Sequence, residues 1–196
     1  MFIDPAETAL IVVDLQERLA PAMSDFEECA NRVELLLNGA RELKLDAIAT
    51  EQYPKGLGAT LPRFAELLPE GTPVVAKTGF SVFEEPAFRT SLAAKTRKTL
   101  VFCGIESHVC VLQSVFDALD RGFEVCLAAD AVTSRKLSDR ELALQAARAA
   151  GALVLSSEAL LFMMLRDAKN PAFKAVGNLV RSERVSGAAR SLRRSP

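Results

Sequence analysis

A single histidine, His108, stands among 196 residues, and no CxxC pair accompanies it. Metal sites built on imidazole and thiolate lack their donors here, because only carboxylates remain as further ligands. Neither GxGxxG nor GxxxxGK(S/T) occurs, so nucleotide phosphates have no recognisable cradle. Gly56 and Gly58 of KGLG follow a strand-like segment but lack the rest of either pattern. No cofactor and no metal are expected. Apolar runs stay well short of the roughly 20 residues that a membrane span requires. Charge of one sign is missing too: 24 Lys and Arg balance 25 Asp and Glu, for a formal net charge of -1. Nothing in that balance attracts nucleic acid or an anionic membrane. The opening MFIDPAET carries Asp4, Pro5 and Glu7 where a signal peptide needs positive charge, so export is not expected. Internal repeats and low-complexity tracts are absent.

What is present is an alternation. The runs ALIVV, LDAIAT, PVVAK, TLVFC, EVCLAAD and ALVLSS are short, apolar and rich in β-branched residues, and helix-like stretches separate them. Most lack the period-2 pattern of a half-exposed strand, which suits strands covered on both faces in a mostly parallel sheet. With right-handed crossovers, six such strands predict a three-layer α/β/α sandwich of Rossmann-like type. The length fits one domain, placed at residues 1–182, with a basic tail over 183–196 that holds Arg184, Arg190, Arg193 and Arg194. Helix starts are expected at Ser24, with Glu27 three residues on, near Ser107, at Ser138 with Glu141, at Ser156 or Ser157, and at Pro171. Shorter helices are expected over 62–68 and 86–95, helix ends at Gly122 and Gly151, and a loop over EQYPKGLGATLP. The four cysteines, at 29, 103, 110 and 126, sit in apolar patterns rather than a loop-rich framework, which fits a reducing, cytoplasmic setting.

Three of the strand-like runs lead to chemistry. ALIVVD ends on Asp14, PVVAK ends on Lys77, and TLVFC passes through Gly104 and a polar turn, Glu106, Ser107 and His108, to Cys110. In an open parallel sheet all strand C-ends share one edge, where ligand sites form. A carboxylate, an ammonium and a thiol would converge there. A helix N-terminus after the turn would favour thiolate over thiol and would offer N–H groups to an oxyanion. Asp14 reads either as a turn cap or as a general base that takes the thiol proton and returns it to a leaving amine. Lys77, between Val74, Val75 and Ala76 on one side and Phe80, Val82 and Phe83 on the other, needs an anionic partner. His108 and Cys110, two apart at a helix start, point in different directions, so the histidine is placed at a pocket rim or as a cap.

With Asp14, Lys77 and Cys110 taken together, the chain resembles the isochorismatase-like cysteine hydrolase superfamily, and within it the isochorismatase domain-containing subgroup. The resemblance is carried by ALIVVDLQERLAPAM, TEQYPKGLG, KTGFSVF and CGIESHVCV followed by DALDRGFEVCLAADAVTSR, and it runs from about residue 8 to 181. It implies an Asp14–Lys77–Cys110 triad. It also implies a cis peptide at Ile105–Glu106 and an oxyanion hole formed by the N–H groups of Glu106 and Cys110. Two departures matter. Nicotinamidases of the superfamily bind a metal through an Asp and histidines after the second strand, where this chain reads TEQYPKGLG, and true isochorismatases lack the nucleophilic cysteine. The expectation is hydrolysis of a small amide or related C–N bond through a Cys thioester, in a homo-oligomer acting on a small molecule. Nearness to strand ends alone nominates Gln16, Gln52, Tyr53, Phe80, Phe83 and His108 for the substrate pocket. The alternatives are an esterase or acyl transferase with the same triad, a non-catalytic binding or scaffold protein, and a redox-sensing thiol.

Overall fold

The computed structural model describes residues 3–191, with side chains described as far as Ser182. The basic tail expected over 183–196 thus falls outside the described side chains. Six strands form one sheet: β1 (Thr8–Val13), β2 (Asp46–Gln52), β3 (Val74–Lys77), β4 (Thr99–Ile105), β5 (Glu124–Thr133) and β6 (Leu153–Leu155). Their order is β3-β2-β1-β4-β5-β6, and every pairing is parallel. The order reverses between β1 and β4. That reversal leaves a crevice at the C-terminal edge, the place where open α/β sheets bind ligands.

β1 explains why period-2 alternation is missing from the sequence. Leu10 and Val12 pack into one apolar cluster and Ala9, Ile11 and Val13 into another, so both faces of the strand are buried. The first cluster is covered by α1 (Phe26–Leu43), α3 (Pro62–Ala65), α7 (Ser157–Leu165) and α8 (Phe173–Ser191). The second lies under α4 (Pro86–Ala93), α5 (Leu112–Asp120) and α6 (Leu137–Ala149). This is the three-layer α/β/α arrangement. Among the described residues no helix is long and apolar enough to cross a membrane.

Several helix boundaries differ from the expected ones. The predicted loop after β2 contains one helical turn, α2 (Pro54–Leu57). Ser24 does not cap α1; its hydroxyl donates to the Arg135 carbonyl at 2.7 Å, and its main chain is tied to Ser134. Ser138 lies inside α6, whose N-cap is Lys136 with no side-chain bond. Ser156 does cap α7, accepting from the Ala159 N–H at 3.2 Å. The last helix begins at Phe173, because Asn170 rather than Pro171 organises the turn before it, accepting from the Ala172 N–H.

Candidate active site

Asp14 follows β1 in the left-handed region, at φ 51°, a conformation that Asp tolerates better than most residues. Thr50, in β2, holds it twice: the Asp14 N–H donates to the Thr50 carbonyl at 3.1 Å, and the Thr50 hydroxyl donates to Asp14 Oδ1 at 2.7 Å. Lys77 ends β3, two strands away, and reaches across β2 so that its Nζ lies 2.8 Å from Asp14 Oδ2. Both side chains are wholly buried. The ammonium's hydrogen bonds, however, go to Gln52 Oε1 at 2.6 Å and to the carbonyls of Phe80 at 3.1 Å and Gly79 at 3.2 Å. Asp14 Oδ2 is therefore paired by charge but receives no aligned donor. It is a buried carboxylate oxygen with a free lone pair.

The third group comes from beyond β4. The Ile105–Glu106 peptide is cis. A π turn (Ser107–Val111) follows and runs straight into α5. Its Glu106 carbonyl accepts from Val109 and, five residues on, from Val111. This widened turn carries Cys110, whose thiol faces Gln52 Oε1 at 3.9 Å and feels the charges of Asp14 and Lys77. Cys110 keeps 6% of its surface exposed, so the sulfur is nearly but not wholly enclosed. Ser114, one helical turn on, donates to the Cys110 carbonyl at 2.6 Å and accepts from the Val82 N–H at 3.0 Å, fixing the turn against the loop after β3. The Glu106 carboxylate accepts from the main-chain and side-chain nitrogens of Arg135, and so ties the turn to the segment after β5.

The thiol is not armed in the way its position at a helix start suggests. Burial, then the negative charge of Asp14, pushes its pKa up to about 12, and Lys77 only partly opposes them. At rest the group is a thiol, and a base must remove its proton. Asp14 is the carboxylate whose charge acts on it.

The residues nominated for the pocket divide. Gln52 joins the site directly. Gln16 does not line it: the side chain is wholly buried, and its amide is spent on backbone, accepting from Gln52 N–H at 2.7 Å and donating to the carbonyls of Gly58 at 2.7 Å and Gln52 at 3.0 Å. Phe83 is core rather than pocket wall. It is 2% exposed and packs edge-on against Phe88 with Arg121 over its ring. Tyr53 and Phe80 are about half exposed at the same sheet edge. His108 meets Ser134 Oγ at 3.0 Å and lies 3.9 Å from Asp139, so it links the π turn to α6. Thr50 and Ser114 were not anticipated. Ser114 had a readable signal, since it stands four residues after Cys110 on a helix. Thr50 had only its place in TEQ. Among the described residues, no group of three or more His, Cys, Asp or Glu is placed to hold a metal ion.

Residues 8–159 match the isochorismatase domain. Isochorismatase domain-containing protein 2 of Danio rerio is 36% identical over 173 residues, covering 88% of this chain and 86% of its own. Among solved structures, the MAR1 ribonuclease of Caenorhabditis elegans superposes with a TM-score of 0.88 at 40% identity, over 92% of both chains. YcaC from Pseudomonas aeruginosa, solved with hexane-2,5-diol and covalent acrylamide, superposes with a TM-score of 0.83 at 28% identity, over 92% of this chain and 96% of its own.

Proposed function

The chain belongs to the isochorismatase-like hydrolase family, and from that premise we propose that it cleaves a small amide or related C–N bond through a thioester on Cys110. One observation carries this reading: Asp14 Oδ2 is buried, lies 2.8 Å from the Lys77 ammonium, and is still without an aligned donor next to a protonated thiol. As Sγ forms its bond to the substrate carbon, the thiol proton passes to Asp14 and the carbonyl π electrons move onto oxygen. The N–H groups of Glu106 and Cys110 receive that oxyanion. Collapse breaks the C–N bond, and the departing amine takes the proton from Asp14. Water, losing a proton to Asp14, then attacks the thioester and releases the acid, and the sulfur takes the proton back. Lys77 pairs with Asp14 and balances charge on the sulfur. YcaC from Pseudomonas aeruginosa was solved with covalent acrylamide, an acceptor that nucleophiles attack at its alkene, so that relative carries a reactive nucleophile; the adduct leaves the amide C–N bond intact.

The test is mass spectrometry of the chain after exposure to a broad metabolite mixture, with Cys110→Ala as control. An acyl adduct on Cys110, released faster by water than by competing thiols or alcohols, is the expected result. Adducts from esters alone would favour the esterase or acyl transferase. No adduct and no turnover would favour a binding or scaffold protein, and reversible peroxide sensitivity without turnover would favour a redox sensor. The ribonuclease relative makes RNA a further substrate to include. Among the described residues, the ammonium at the site is already committed to Asp14, which argues against phosphodiester binding there.

A further inference from the structure

We propose that Gln52 is a positioning residue of this site: its side-chain oxygen holds the proton on the Cys110 sulfur at rest and sets the direction of the Lys77 ammonium. The purpose of such a device rests on the cysteine-hydrolase reading, but its test does not.

The observation is a shared acceptor. Gln52 Oε1 takes a hydrogen bond from Lys77 Nζ at 2.6 Å and faces the Cys110 thiol at 3.9 Å. The amide is held in that orientation, since Nε2 donates to the Thr78 carbonyl at 2.7 Å. Turning it over would break that bond and set an NH2 donor against the ammonium. The Gln52 main chain is clamped as well, its N–H and carbonyl both engaged by the Gln16 amide. A neutral oxygen is thus presented from β2, between Asp14 just after β1 and Lys77 on β3, which are the charged groups acting on the thiol.

The consequence follows from what each protonation state offers. A thiol can donate to that oxygen and a thiolate cannot, so the acceptor favours the protonated form. The same oxygen draws one Lys77 N–H away from the sulfur, which withholds stabilisation from the thiolate. Both effects keep the nucleophile protonated, and a protonated sulfur oxidises slowly between turnovers.

The experiment measures the rate of Cys110 alkylation by iodoacetamide, read on the Cys110 peptide by mass spectrometry from about pH 8 to about pH 10, in the full chain. Gln52→Leu removes the acceptor and should speed alkylation about tenfold at each pH, the effect of one pKa unit on the thiolate fraction. Gln52→Glu, of nearly the same shape, adds a negative charge beside the sulfur and should slow it about tenfold or more. A residue that merely braces the structure would loosen the site in both variants and speed both. Opposite signs support the proposal; rates that are unchanged, both faster, both slower or reversed overturn it. If Gln52→Leu does not fold, Gln52→Glu decides alone, with slower alkylation in support and equal or faster alkylation against. No substrate enters the measurement. A failure here leaves the hydrolase reading standing, and a failure to find an acyl adduct leaves this proposal standing.

Discussion

Taking an ammonium and a carboxylate out of water costs several kcal/mol for each ion. Lys77 and Asp14, with fully buried side chains, offset that through their 2.8 Å contact, the Thr50 hydroxyl on Asp14, and the oxygen ring of Gln52, Gly79 and Phe80 around the ammonium. Removing one partner leaves the other charged and alone. Lys77→Met should therefore lower the urea-unfolding free energy by about 3–5 kcal/mol. Asp14→Asn combined with Lys77→Met should be more stable than Lys77→Met alone, because the stranded carboxylate is gone. Equal stability of the two would show that the pair is not energetically coupled. Both variants should lose all turnover. At this scale the sequence was informative where one chargeable residue closed an apolar run, as at Asp14 and Lys77. It was mute where the partner depends on register between strands far apart in the chain, as for Thr50. Gln16 and Phe83 misled because nearness to a strand end does not say which way a side chain points, and both point inward.

Among the elements, the junction of β4 with the π turn carries a constraint set by backbone against backbone. Gly104 has φ 117°, and a Cβ placed on it would lie 2.1 Å from the Val13 carbonyl oxygen. Val13 pairs with Gly104 across the sheet and is followed by Asp14, so the absent side chain lets Asp14 approach the turn that bears Cys110. Opposite this point β5 bulges: Phe102 pairs with Leu127 but Gly104 pairs with Val132. Arg140 caps the bulge by donating to the Ala129 and Val132 carbonyls. Gly104→Ala should cost about 1–3 kcal/mol for the backbone conformation alone, with more from the clash, and should cut turnover as Asp14 is displaced. Gly122→Ala is the control, with φ 81° and nothing within 4 Å of its added carbon, so it should lose stability and keep turnover. Equal loss of turnover in both would remove the special role of Gly104. Strand positions were legible because doubly buried strands are apolar throughout. Helix starts were less so: Ser24 and Ser138 have the right spacing for capping boxes, but Ser24 is used to join α1's approach to the loop after β5. The π turn has no sequence signature distinguishing it from an α-helical start, since it differs by a single hydrogen-bond step.

For the molecule as a whole, covering the sheet on both faces buries all four thiols, and the same burial that builds the core sets the chain's response to alkali. The two-sided core was readable from the uninterrupted apolar runs. The thiols' state was not, because a helix start argues for easy ionisation and only the packed structure reveals how much water is lost. Burial raises Cys29, Cys110 and Cys126 from 9.0 to about 12 and shifts Cys103 in the same direction. Above pH 9.0 the unfolded chain sheds protons that the folded chain retains, so unfolding is favoured. The stability contributed by these thiols is intact below that pH and declines as pH rises toward about 12. Each thiol adds a slope of up to about 1.4 kcal/mol per pH unit. Urea unfolding measured from about pH 8 to about pH 10.5 should follow that decline. Groups that titrate alike in wild type and variant cancel in a comparison, so Cys126→Ala should be less stable at neutral pH but fall less steeply, by one thiol's share. An unchanged slope would place the alkaline loss on other groups and would mean that Cys126 ionises as readily in the folded chain as in the unfolded one.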